Sequence, residues 1–253
     1  MSSLFSVENK VVLVSGGSRG IGRAIAEAFR DEGARVVVAA RSEAALKATC
    51  MAYEVCDVAD SAQIRRTVDV VAKRFGSIDV LFNVAGINFR HAAGSFPEDK
   101  LEEILAINVR GNYRMAAACG AIMVRQRAGK VINIASLHTF KSLPGVSAYA
   151  MSKGAIGSMT RALAVEWANS NVQVNAIAPG FIRTDLNAAL WEIPAMRTWV
   201  EEQTPAKRLG EPRDLIGTSI FLASAASDFL TGQVIYVDGG FTAGSPWPLE
   251  FPG

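Results

Sequence analysis

Tyr149 and Lys153 stand four residues apart, a spacing that stacks both side chains on one face of a helix, and Ser136 lies just past the apolar run ending at Ala135. These three polar groups can converge on one oxygen atom. A phenol with a pKa of about 10 is a poor base at neutral pH, but a neighbouring ammonium favours the phenolate and lowers that value. Tyr149 can then pass a proton to or from an oxygen on carbon, with Ser136 holding that oxygen and Lys153 tuning the phenol. That chemistry suits a secondary alcohol and a ketone. A Tyr-x-x-x-Lys pair arises readily on any helix, so its meaning depends on the elements placed around it.

Short runs at Val11 to Val14, Val36 to Ala40, Tyr53 to Cys56, Ile78 to Phe82, Lys130 to Ala135, Val172 to Ala178 and Val234 to Val237 predict strands, the second and third too apolar throughout to sit half exposed. Helical spacing fills the intervals. Ile21, Ala24, Ile25, Ala28 and Phe29 recur until Gly33; Asp60 with Gln63 reads as a capping-box start and Gly76 as the stop of the next helix. A long helix is predicted over Leu101 to Met123 and another over Ala148 to Ala168. Only Ser42 to Ala52 separates the second and third strands, so the helix there must be short or distorted. The fold predicted is α/β: a single-domain Rossmann-type doubly wound parallel sheet flanked by helices, with ligands at the carboxyl ends of the strands. The whole chain, 1–253, reads as one dinucleotide-binding and catalytic domain. The stretch from about 184 to 210, with Trp191, Trp199 and two prolines, reads as a helical substrate lid.

Ser15-Gly16-Gly17-Ser18-Arg19-Gly20-Ile21-Gly22 follows a strand and opens a helix, which turns backbone N–H groups and the positive helix end toward a pyrophosphate. The alternative is a mere tight turn, against which the strand-to-helix context argues. At the end of the second strand no carboxylate waits for a ribose 2′-hydroxyl. Arg41 stands there instead, and Arg19 can reach the same corner, which predicts NADP(H) rather than NAD(H); otherwise both arginines are ordinary solvated side chains. Asp57 with Val58, and Asn83 with Ala85 and Gly86, follow the third and fourth strands and can flank adenine and ribose, or merely cap and brace turns. Asn108 is a poor helix former inside the long helix, placed to interrupt its ladder and hold a water for a proton relay, or simply to pack.

Lys plus Arg number 26 against 24 Asp plus Glu, which suggests neither a nucleic-acid surface nor an acidic partner. Half the residues are apolar and a fifth charged, as in soluble globular proteins. The first residues lack a signal-peptide pattern and no apolar run reaches about eighteen residues, so no membrane association is expected. Cys50, Cys56 and Cys119 lack paired or metal-binding spacing; reduced thiols, no metal and a cytoplasmic setting are the expectation.

Together these residues resemble the short-chain dehydrogenases/reductases from Lys10 through Gly240. The family's TGxxxGxG corresponds to Ser15-Gly16 with Gly20 and Gly22, its NNAG to Asn83-Val84-Ala85-Gly86, and its catalytic tetrad to Asn108, Ser136, Tyr149 and Lys153. The resemblance implies that Pro179, Gly180, Ile182 and Thr184 border the nicotinamide, that Tyr149 and Lys153 also contact the cofactor, and that two long helices pair subunits into a homotetramer. Ser15 for threonine, Val84 for the second asparagine and the short crossover after Arg41 depart from the pattern. Within the family, Phe181 to Asn187, Thr204 to Arg208 and Val237 to Gly240 are similar to gluconate 5-dehydrogenases and related sugar-acid enzymes; similar motifs occur in 3-oxoacyl-carrier-protein reductases.

A sugar acid needs a cation for its carboxylate and polar partners for its hydroxyls. Arg90, His91, His138, Lys141 and Arg183 follow strand ends and can supply them, or stay solvated in loops. Trp191 and Trp199 can instead line an apolar pocket for a bulky ketone, or anchor the lid. A non-catalytic dinucleotide-binding regulator is the alternative from another class, and the intact tetrad argues against it. The Pro- and Trp-containing tail from Phe241 to Gly253 resists regular structure and is placed to cover a neighbouring subunit's lid.

Overall fold

The structure, a computed structural model, describes residues 3–185 and 187–245. Seven strands, β1 (Val11–Ser15), β2 (Arg35–Ala40), β3 (Ala52–Val55), β4 (Val80–Asn83), β5 (Gly129–Ile134), β6 (Val172–Pro179) and β7 (Val234–Val237), form one parallel sheet in the order β3-β2-β1-β4-β5-β6-β7. The order reverses between β1 and β4, which pair from Val12 with Val80 to Ser15 with Asn83. A crevice opens at such a switch point, at the carboxyl ends of the strands.

Parallel strands need crossovers, and helices supply them. They are α1 (Gly20–Asp31), α2 (Glu43–Lys47), α3 (Ser61–Phe75), α4 (Glu98–Ile104), α5 (Asn112–Gln126), α6 (Ser147–Trp167), α7 (Ala188–Trp191), α8 (Pro194–Gln203) and α9 (Ile216–Ala223). Because strand side chains alternate, each strand feeds two cores. Val11, Leu13, Val37 and Leu81 meet Val68 of α3, Met115 and Cys119 of α5 and Leu163 of α6 on one face. Val12, Val14, Val38 and Phe82 meet Ile25 and Phe29 of α1 and Leu222 of α9 on the other.

The β2–β3 crossover is as short as the spacing required: α2 is five residues long, begun by Ser42, whose hydroxyl accepts from Ala45 N–H at 3.3 Å. Asp60 caps α3 through Ala62 and Gln63 N–H, and Gly76 ends it in the left-handed region at φ +82°. The capping box is modified, since the Gln63 side chain accepts from Asp57 N–H at 3.0 Å rather than from Asp60. The predicted long helix is interrupted. A π-helical turn, Leu105–Gly111, separates α4 from α5 and has Asn108 at its centre. The region about 184 to 210 holds α7 and α8, tied down by Phe181, whose ring lies 5.9 Å from Trp191, 5.8 Å from Trp199 and 5.0 Å from Phe241. Among the described residues no helix is long and apolar enough to cross a membrane. Of the C-terminal tail, residues 246–253 lie outside the described part.

Candidate active site

At the switch point, Gly16, Ser18, Arg19, Gly20, Ile21, Gly22, Arg41, Asp57, Val58, Ala85, Gly86 and Thr184 line one open cavity of about 520 Å³. The β1–α1 turn is shaped by what glycine lacks. A Cβ on Gly16, at φ +71°, would sit 2.8 Å from Ala85 N, and one on Gly22 would overlap the Gly16 carbonyl. The turn therefore folds tightly on itself and against Ala85, at the start of α1 where N–H groups have no helical partner. Thr184 closes the cavity over this turn, near enough that a Cβ on Gly20 would meet it at 3.6 Å.

Arg19 and Arg41 stand exposed at one end, and among the described residues neither has an ion-pair partner. The nearest acid in sequence, Glu43, is occupied: Lys47 lies 3.0 Å away and the Tyr53 hydroxyl donates to it at 3.2 Å. Both arginines are thus left for an external anion. Ser42, Ala45, Cys56, Ile87 and Ile107 also line the cavity, and residue-type reasoning had not singled them out. Only their nearness to Arg41, Asp57, Gly86 and Asn108 in the chain hinted at it.

Ser15 and Asn83 do not line the cavity; both are buried behind its wall. The Ser15 hydroxyl donates to Phe82 O at 3.4 Å and accepts from Val84 N–H at 3.2 Å, clasping β1 to β4. Asn83 Nδ2 donates to Asn112 O at 3.1 Å and Asn133 Oδ1 at 3.0 Å. Pro179 is buried at the end of β6, and Gly180 packs so tightly that a Cβ would sit 2.7 Å from Asp238 Cα. Ile182 lines a separate cavity of about 240 Å³ with Phe181, Thr204 and Gly239.

The polar trio is assembled. Ser136 opens a short 3-10 turn, and its Oγ accepts from His138 N–H at 3.2 Å, which leaves the hydroxyl proton free to be donated. Tyr149, half-buried in the first turn of α6, is held above its ordinary pKa by burial, while a hydrogen bond with Ser136 and the charge of Arg90 pull it down. Lys153 is 3% exposed; its ammonium donates to Ile134 O at 2.7 Å and sits 5.7 Å from the Tyr149 ring centre. Burial lowers Lys153 from 10.5 to about 8. The expected lowering of the phenol by Lys153 is therefore not what the chain alone displays. Desolvation outweighs the Ser136 hydrogen bond and the Arg90 charge, and Tyr149 stands protonated at neutral pH, ready to donate.

Asn108 is fully buried and closes the floor. Its Oδ1 accepts from Ile87 N–H at 2.8 Å, and its Nδ2 donates to Ile87 O at 2.9 Å and Ser152 Oγ at 3.0 Å. Ser152 in turn donates to Tyr149 O at 2.7 Å, so the amide anchors α6.

Around the phenol, His138 stands edge-on to Tyr149 with ring centres 5.8 Å apart, and its Nδ1 is 3.0 Å from Lys141 O. A carbonyl can only accept, so Nδ1 carries a proton. Burial lowers the ring's pKa, the Lys141 carbonyl bond raises it and Arg90 lowers it further, leaving a neutral imidazole with Nε2 as an acceptor. Arg90 is exposed and electrostatically coupled to both His138 and Tyr149. Lys141 instead caps the aromatic cluster, 4.3 Å above the Phe241 ring, and His91 stacks on Phe89 at 6.1 Å. Arg183 and Trp191 are not brought to this mouth: they line another groove, with Glu192, Arg197 and Arg213. The parallel bridge from Ile182 to Gly210 fixes that course.

Residues 16–242 match the family model described as enoyl-(acyl carrier protein) reductase. The chain is 38% identical over 252 residues to the 5-keto-D-gluconate 5-reductase of Escherichia coli (strain K12), covering 95% of this chain and 98% of the relative. It is 36% identical over 244 residues to the 3-oxoacyl-[acyl-carrier-protein] reductase of Vibrio harveyi, covering 93% and 98%. The crystal structure of a gluconate 5-dehydrogenase from Burkholderia cenocepacia in complex with NADP and tartrate superposes with a TM-score of 0.92 at 35% identity, covering 96% of this chain and 98% of that one.

Proposed function

The chain belongs to the short-chain dehydrogenase/reductase family, and from that premise we propose that it interconverts the secondary alcohol and ketone of a sugar acid or polyol with NADP(H), in the manner of the gluconate 5-dehydrogenases. The observation that carries this reading is the convergence of Ser136, Tyr149 and Lys153 beside a glycine-cradled cavity whose far end presents two uncommitted arginines.

The cavity fits a dinucleotide. The Gly16 to Gly22 turn would hold the pyrophosphate, Arg19, Arg41 and Ser42 a 2′-phosphate, Asp57 and Val58 the adenine side, and Ala85, Gly86, Tyr149 and Lys153 the nicotinamide side. Thr184 closes the cavity over the Gly16 to Gly22 turn, and Pro179 and Gly180 at the end of β6 border the nicotinamide side in this reading, whereas Ile182 faces the separate cavity. The bound cofactor supplies or accepts the hydride at the substrate carbon. Tyr149 donates its proton to the ketone oxygen in reduction and takes it back in oxidation. Ser136 donates its hydroxyl proton to the same oxygen, while the bond from His138 N–H helps to hold its Oγ in place. The Lys153 ammonium stabilises the phenolate left behind, and Asn108 keeps α6 in register through Ser152.

Arg90 and the acceptor Nε2 of His138 suit a carboxylate and a hydroxyl at the mouth, and the neighbouring structure's tartrate is itself a hydroxy acid. Arg183 and Trp191, which line the separate groove with Arg197 and Arg213, take no part at the mouth in this reading. Reduction of a 3-oxoacyl thioester is the second reading, favoured by the acyl-carrier-protein reductase relative and family model. Initial rates of NADP+ reduction with D-gluconate, beside NADPH oxidation with an acetoacetyl thioester, separate them. Gluconate activity with a KM raised about ten-fold by Arg90→Ala supports the sugar-acid reading, and thioester activity alone overturns it. Assembly as a cytoplasmic homotetramer is part of the proposal. Exposed Tyr113 on α5 and Met151 and Val165 on α6, at 53%, 53% and 84%, support pairing through these helices, which light scattering tests.

A further inference from the structure

The amide of Asn112 lies buried behind the cavity wall, bonded to the backbone of two lining residues, Ala85 and Ile107. Asn112 is 3% exposed, at the first position of α5, immediately after the π-helical turn. A π turn shifts the backbone ladder and leaves carbonyls in need of donors. Asn112 Nδ2 answers this, lying 2.8 Å from Asn108 O, 3.3 Å from Ile107 O and 3.1 Å from Ala85 O. Ile107 and Ala85 line the cavity from two different elements, the π turn and the segment after β4. One side chain therefore stitches two of its walls together.

From the other side, Asn83 Nδ2 holds the Asn112 carbonyl at 3.1 Å and continues to Asn133 Oδ1, whose own Nδ2 donates to Thr160 Oγ1 of α6 at 2.9 Å. The chain of bonds thus runs from the cavity wall to the helix that carries Tyr149 and Lys153. Asn112 Oδ1, by contrast, is buried with no partner among the described residues. An unpaired buried acceptor is costly, and stability alone would favour a residue without one. What retains the amide is its donor end.

We propose that Asn112 is a positioning residue of the cofactor cavity: through the Ala85, Ile107 and Asn108 carbonyls it fixes the wall formed by residues 85–87 against the π turn. The inference rests on the dinucleotide reading of the cavity, and its test reads binding rather than turnover.

NADPH affinity, by fluorescence titration, and thermal unfolding are measured for the parent, Asn112→Leu, Asn112→Asp and Met123→Ala. The last empties a buried site near the far end of the same helix, away from the cavity. Asn112→Leu is expected to weaken NADPH about ten-fold, the scale of losing buried donor bonds, whereas Met123→Ala lowers the unfolding temperature with the parental affinity kept. Asn112→Asp keeps the shape but faces the three carbonyls with an acceptor. Its affinity should be poor at about pH 9 and recover toward about pH 6, as a carboxyl raised by burial regains an O–H donor, a profile the parent lacks. Should Asn112→Leu fail to accumulate as folded protein, the pH profile of Asn112→Asp decides alone. Parental affinity in either folded Asn112 variant, or losses matched by Met123→Ala, overturns the proposal. If the parent binds neither NADPH nor NADH, the cofactor reading falls and takes this inference with it.

Discussion

Lys153→Met should make the protein more stable at neutral pH while abolishing turnover. The Lys153 ammonium is 3% exposed and has Ile134 O as its single hydrogen-bond acceptor in the described chain, and burial lowers its pKa from 10.5 to about 8. The unfolded chain binds that proton more tightly than the folded one. Below about pH 8 the folded state carries the full penalty, and between about 8 and 10.5 stability rises with pH as the proton leaves the folded lysine first. At about 1.4 kcal/mol per pH unit the difference amounts to about 3 kcal/mol. Methionine fills similar volume without charge but leaves the Ile134 carbonyl unpaired, which costs about 1–2 kcal/mol. The net gain is about 1–2 kcal/mol at pH 7, or roughly 2–8 °C in Tm for a chain of this size. Thermal unfolding of parent and variant at about pH 7 and about pH 10 checks both the sign and its disappearance in alkali. A variant less stable than the parent at pH 7, or a difference indifferent to pH, would refute the claim that this lysine is held charged against its surroundings.

Three further outcomes are expected, two at the cavity and one at the tail. Arg41→Asp should weaken NADPH about a hundred-fold and NADH only slightly, since it removes one cation and adds an anion at the phosphate corner; equal losses in paired fluorescence titrations would contradict the assignment. Gly22→Ala drives a Cβ into the Gly16 carbonyl and should raise the dissociation constant of either dinucleotide at least about ten-fold, with unchanged binding counting against the cradle. Removal of Ser245 to Gly253 should raise the substrate KM or loosen subunit assembly, and the tail has no such role if kinetics and light scattering both stay parental.

Much of the frame was legible because the inner strands are buried on both faces and several read as nearly unbroken apolar runs, as in Val11 to Val14 and Val36 to Ala40, whereas the edge strands β3, read as too apolar to sit half exposed, and β7 are only partly buried. The short second crossover could be inferred because chain length limits what a connection can be. Asn108 stood out as a poor helix former, and the helix does change character around it. Other features depend on contacts that spacing does not encode. Ser15 and Asn83 have the residue types of ligand-binding positions, yet their partners are the backbone of β4 and the amide of Asn133. Arg183 follows a strand end, but the bridge from Ile182 to Gly210 fixes the backbone before it and it lines the groove with Trp191 and Arg197. Phe241 joins Phe181 and Trp199 of α8 from far along the chain, and Asn112 looks like any helix-start asparagine until the carbonyls it bridges are known.

The central claim is that Tyr149 delivers the proton while the rest of the site binds the dinucleotide. Tyr149→Phe, assayed for NADP+ reduction with D-gluconate and for NADPH binding in the same preparation, addresses it most directly. Loss of turnover by at least about a thousand-fold, with NADPH affinity within about two-fold of the parent, is the predicted result. A variant that turns over at the parental rate would contradict the account.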